Sequence, residues 1–132
     1  MKNYLKKLPE IYIAFVFIQS LFFKFSGAPE SIYIFQTIED WLSLSFFEPG
    51  MRYIIGTTEL VAAVILFVPG LRHIGALISI GVISGAIFFH LFSPLGVVVQ
   101  DDAGTLFIMA TGVWIASAYI LYASRGVFFK KA

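Results

Sequence analysis

The chain contains no cysteine. Disulfide scaffolds, thiol nucleophiles, redox relays built on paired thiols and thiolate metal sites are therefore all excluded. Charge is also scarce: only 13% of residues are Asp, Glu, Lys or Arg, against about 25% in an ordinary soluble domain. The net charge of +1 implies no global electrostatic partner, and no nucleic-acid partner is expected. No glycine-rich phosphate or dinucleotide cradle occurs. Only two histidines are present, too few and too separated for a recognised metal-ligand spacing, so no metal site is predicted. The approximately ten-residue alternation of a transmembrane β-barrel is missing as well.

What fills the chain instead is apolar surface. Hydrophobic residues make up 59% of 132 residues, more than a domain this small can bury, so the expected solvent is lipid. The length fits a single domain, residues 1–132. Four long apolar stretches cover residues 9–26, 52–68, 73–92 and 103–123. Each is close to the length a helix needs to cross ~30 Å of hydrocarbon. Pro9 suits a first helical turn, Pro49-Gly50 opens the second stretch, Pro69-Gly70 closes it, and Ser93-Pro94 ends the third. The third is rich in small residues, with Gly81 and Gly85 in a GxxxG pair. Such a face permits close helix contact in lipid, which predicts a central position for this helix. The predicted fold class is therefore all-α, an integral membrane four-helix bundle.

Charge placement supplies the orientation. Lys2, Lys6 and Lys7, then Arg72 and His73, then Arg125, Lys130 and Lys131 fall on one side of four crossings. Glu30, Glu39, Asp40, Glu48, Asp101 and Asp102 fall on the other, with Arg52 as the one exposed base there. The positive-inside rule then places both termini in the cytoplasm. The N-terminal lysines before an apolar run look like a signal peptide. Lys24 follows that run, however, and no small-x-small cleavage site is evident, so a retained helix is expected.

Between the first two crossings, about residues 30–47, Ile34, Phe35, Ile38, Trp41, Leu42 and Phe46 recur at spacings of three and four. This pattern predicts an amphipathic helix, lying on the outer membrane surface or folded over the bundle mouth as a lid.

A few polar residues fall inside the predicted crossings. Glu59 lies about 10 Å below the outer end of the second helix at ~1.5 Å per residue. Lys24 and His90 lie near the outer ends of the first and third, and Gln19 lies at mid-depth in the first. A charge at mid-membrane costs at least ~2.5–3.5 kcal/mol, so Glu59 should face the interior. The functional reading is a ligand-binding polar cluster of Lys24, Glu59, His90 and Gln19, with Asp101, Asp102 and Trp41 at its rim. Against it stand a Lys24–Glu59 ion pair that merely fixes helix register, and a Lys24 that snorkels to the interface. For His90 an ordinary hydrogen-bonded histidine is the preferred reading, for Asp101 and Asp102 a helix cap, and for Gln19 an interhelical hydrogen bond. Trp41 suits the headgroup level.

The run Phe22-Phe23-Lys24-Phe25-Ser26-Gly27-Ala28-Pro29-Glu30-Ser31, followed by Thr58-Glu59-Leu60 and by Gly85-Ala86-Ile87-Phe88-Phe89-His90, resembles the DoxX-like family of small bacterial membrane proteins. The resemblance runs from about Phe15 to Arg125 and is most specific in the first block. It implies a four-helix inner-membrane protein associated with a thiosulfate:quinone oxidoreductase. Distant relatives of that fold include sterol-handling enzymes and assembly factors for membrane receptors. Two functional expectations follow. The leading one is a non-catalytic subunit or assembly partner of a redox or quinone-linked complex, with a membrane protein or a second copy as partner. The alternative is a site for a small hydrophobic ligand, a quinone, lipid or sterol-like molecule, in an outward-facing pocket. No complete catalytic motif is present, so an enzyme is the less favoured expectation, and no cofactor is evident beyond a quinone or lipid.

Overall fold

A computed structural model describes residues 7–98 and 104–126. The described residues form five α-helices: α1 Leu8–Ser26, α2 Pro29–Leu42, α3 Phe47–Ile65, α4 Arg72–Phe92 and α5 Thr105–Ala123. Three of them, α1, α4 and α5, are long and apolar enough to cross a membrane. Their outward faces carry large apolar side chains, with Phe22 74% exposed and Ile108 65% exposed. In water such a surface would be unsolvated; it points to a membrane protein. The second predicted crossing departs from this pattern. α3 is 19 residues long but carries Glu48, Arg52 and Glu59, so composition alone does not mark it as a span.

The four longer helices pack as a closed ring. α1 and α4 each lie against both α3 and α5, and α2 lies mainly on α3. α4 is thus one corner of the ring, not its centre as the small residues predicted. Of the GxxxG pair, neither glycine meets another helix: a Cβ at Gly81 or Gly85 would have nothing within 4 Å. The close approach in α4 is made by Gly75, where a Cβ would stand 2.8 Å from the backbone nitrogen of Leu66. A backbone neighbour cannot swing aside, so glycine is required there.

Local chemistry explains the boundaries. Pro29 lies in the first turn of α2, as its missing N–H allows. α1 stops at Gly27, which takes the left-handed conformation with φ 69°. α2 stops five residues before the expected boundary, at Leu42, where Ser43 adopts φ 58°. α3 begins earlier than predicted, at Phe47, but is broken at Glu48 (φ −111°, ψ 117°). Glu48 precedes Pro49 in the sequence, and a residue before proline is disfavoured in helical conformation. The Glu48 N–H, one of the donors without an intrahelical partner at the start of α3, donates to Glu39 Oε1 at 2.8 Å, which ties α2 to α3. α3 ends at Ile65, before Pro69-Gly70.

The main core lies in the half of the ring away from α2. Ile13, Phe17, Leu66, Val113 and Ile120 are essentially inaccessible there. A smaller cluster of Phe35, Ile38, Phe47 and Leu95 joins α2 to the ring.

Candidate functional site: a polar-floored cavity under α2

The C-terminal half of α1, the start of α3, the C-terminal half of α4 and the start of α5 surround a cavity of about 300 Å³, and α2 covers it. Ser31, Ile34, Phe35 and Ile38 of α2 line the covering side. The amphipathic helix therefore lies over the ring mouth with its apolar face inward. Most of the lining is aliphatic or aromatic. Gly85 faces this space, and the absent side chain leaves the volume open.

Lys24, Glu59, His90 and Gln19 all line this one cavity. Lys24 Nζ stands 3.0 Å from Glu59 Oε1, with the two side chains 15% and 6% exposed. Lys24 Nζ also donates to Ser20 Oγ at 3.1 Å. Ser20 has a single proton to give, shared between the Phe17 carbonyl at 3.0 Å and Glu59 Oε1 at 3.4 Å. Ser20 lies one turn before Lys24 on the same helix face, and that spacing is the signal by which it is legible in the sequence.

His90 is buried, with its ring edge against Phe107 at 5.6 Å. Its Nδ1 lies 2.8 Å from the Gly96 carbonyl. A carbonyl only accepts, so Nδ1 carries a proton and is the donor in this contact. The turn after α4 sets this up. Ser93 Oγ accepts the Leu95 N–H at 3.1 Å, and Gly96 takes φ 74°. Leu95 is thereby directed into the cavity wall.

Other expected positions differ. Among the described residues Gln19 bonds within its own helix and not to another: its Nε2 donates to the Val16 carbonyl at 3.2 Å. Trp41 does not line the cavity. It is 42% exposed and packs on Phe88 and Phe89, at 6.5 and 6.2 Å between ring centres, so it supports the wall from behind. Asp101 and Asp102 lie outside the described residues.

Arg52 is not the exposed base that charge placement predicted. It is only 4% exposed, with Nε and Nη2 on the two oxygens of Glu48 at 2.7 and 3.1 Å. Its Nη1 donates to the Lys24 carbonyl at 2.5 Å, occupying one of the acceptors left open at the end of α1. The i,i+4 spacing of Glu48 and Arg52 was the available signal. Arg52 holds the backbone of Lys24, and through it the base beside the cavity.

A second buried acid lies at the starts of α1 and α4. Glu10 is fully buried and accepts from Arg72 Nε at 2.7 Å, with Lys7 Nζ at 3.9 Å. Its position within a charged first turn concealed it among the surface charges of the sequence. Among the described residues, no three His, Cys, Asp or Glu side chains converge on a point where a metal could sit.

No family model, no curated protein and no solved structure matches the chain.

Proposed function

We propose that this protein crosses a bacterial inner membrane four times and binds a small, mostly apolar molecule in the cavity beneath α2. The observation that carries this reading is the cavity itself. About 300 Å³ of largely apolar space adjoins a buried acid, base and imidazole drawn from α3, α1 and α4. Ligand sites are of this kind: volumes from ~300 Å³, apolar walls and a few polar groups that fix orientation. A register-fixing ion pair needs no empty volume beside it. In this reading α3 is the fourth crossing, tolerated because Glu59 and Arg52 face protein partners and not lipid. The charge pattern then puts α2 on the outer side and both termini inside. The resemblance to the DoxX-like family supports the same architecture and makes a quinone, a sterol-like molecule or a lipid fragment the natural occupant.

The test is solvent extraction and mass spectrometry of protein purified in mild detergent, for the natural chain and for Gly85→Phe. Gly85 lines the cavity and a Cβ there has nothing within 4 Å, so the added ring takes up cavity space. A molecule present in the natural chain and absent from a folded Gly85→Phe supports the reading. Identical extracts from both overturn it.

The subunit reading rests on a different surface. Leu77, Gly81, Ser84, Phe88 and Leu91 form one exposed stripe along α4, with open space over Gly81. A helix of a partner in a redox or quinone-linked complex, or of a second copy, would pack there. Co-purification of a stoichiometric partner that is lost in Gly81→Leu supports this reading; a monomer in both cases removes it.

A further inference from the structure

We infer that the cavity selects molecules whose polar head is an uncharged hydroxyl, and rejects those with an anionic or cationic head on the same tail. This rests on the ligand-binding reading above and states what that site recognises.

The charges in the site already cancel. Lys24 Nζ and Glu59 Oε1 are 3.0 Å apart, each nearly out of reach of solvent. An anionic head can gain Lys24 only by drawing it from Glu59, which is then left without its cation in an apolar surround. A cationic head gains Glu59 only by displacing Lys24. Either exchange leaves one charge more in the cavity than before, and an unpaired charge in a medium of low polarity is costly. A neutral head leaves the pair intact.

The hydrogen-bonding groups narrow the choice to a hydroxyl. Of the three protons on Lys24 Nζ, one faces Glu59 and one Ser20, so one donor is left. His90 lines the same cavity and, with Nδ1 committed to the Gly96 carbonyl, can accept only through Nε2. Glu59 has lone pairs beyond those taken by Lys24 and Ser20. A hydroxyl both accepts and donates, and so answers both kinds of group; an ether or a bare hydrocarbon answers one or none. The aliphatic and aromatic lining from Val16, Ile34, Ile55, Ile83 and Met109 takes the rest of the molecule.

The test uses three probes with one tail: decanol, decanesulfonate and decyltrimethylammonium, whose last two heads stay charged at any working pH. Each is titrated into the protein in phosphatidylcholine nanodiscs, and the rise in unfolding temperature is followed against probe concentration. Gly85→Phe, whose cavity is narrowed by the added ring, serves to subtract effects of partition into the bilayer. Decanol should reach half-effect at a concentration at least about tenfold lower than either charged probe, which is a tenfold ratio of affinities. Glu59→Gln at mildly acid pH, where Lys24 keeps its charge, should shift the preference to decanesulfonate, and Lys24→Met at mildly alkaline pH, where Glu59 keeps its charge, should shift it to decyltrimethylammonium. If a charged probe matches or beats decanol on the natural chain, the head-group inference is wrong while the binding site stands. If no probe distinguishes the natural chain from Gly85→Phe, the binding site itself is wrong. Should either charge variant fail to fold, the ranking on the natural chain decides alone.

Discussion

Two opposite charges 3.0 Å apart hold the floor of the cavity, and a third group keeps one of them in place. Arg52 binds the Lys24 carbonyl, so the base is fixed at its backbone as well as its head. Breaking a buried pair by removing one partner costs about 3–5 kcal/mol, whereas replacing both with apolar groups is often neutral or stabilising. Lys24→Met should therefore lower stability in denaturant titrations in detergent by about that amount, and Lys24→Met with Glu59→Leu should recover most of the loss. Equal losses in the single and double variants would show that the two groups do not depend on one another. Lys24, Glu59 and His90 were legible as a group in the sequence because helical rise converts residue number into depth, and all three fall at similar depth. Arg52 was not. An arginine near a predicted loop reads as solvated, and only the fold shows that the end of α1 supplies its acceptor. Gln19 was misread for a related reason: the sequence shows a polar side chain at mid-depth but not whether a partner helix presents anything for it to bind.

At the scale of elements, α3 is the unusual part. It is as long as α1 and α5 yet carries three charged residues, two of which belong to the site or its support. Polarity that would exclude a helix from lipid is turned inward here, toward α1 and toward Glu48. Ser45 and Leu71 lie in the turns at its two ends and are exposed. In this cysteine-free chain, Ser45→Cys should react with a membrane-impermeant maleimide added outside intact cells, and Leu71→Cys should react only after the inner face is opened. Labelling of both from the same side would mean that α3 does not cross. The four long helices and α2 were readable from hydropathy and from three-and-four spacing. The lid position of α2 was not, since an amphipathic helix fits a membrane surface and a bundle mouth equally. Its residues Ser31, Ile34, Phe35 and Ile38 line the cavity, which puts it over the ring mouth. The glycines of α4 carry the same lesson. A GxxxG pair announces a bare face; here a cavity adjoins Gly85, and the close contact falls at Gly75 instead.

The whole molecule divides its interior in two. Away from α2 the ring is closed by a dense plug that includes Ile13, Phe17, Leu66 and Val113. Under α2 it is open enough to hold a guest, and outside it presents bare apolar side chains on every long helix. That arrangement suits a protein that takes an oily molecule from its surroundings and holds its head against a neutral, hydrogen-bonding floor. The most direct measurement is photolabelling in phosphatidylcholine nanodiscs with a decanol analogue carrying a diazirine in its tail, followed by peptide mapping. The predicted result is label on the cavity-lining residues Ile83, Ala86 and Met109, abolished by Gly85→Phe. Label confined to the outward-facing Phe15, Phe22 and Ile108, and unchanged by that substitution, would contradict the account.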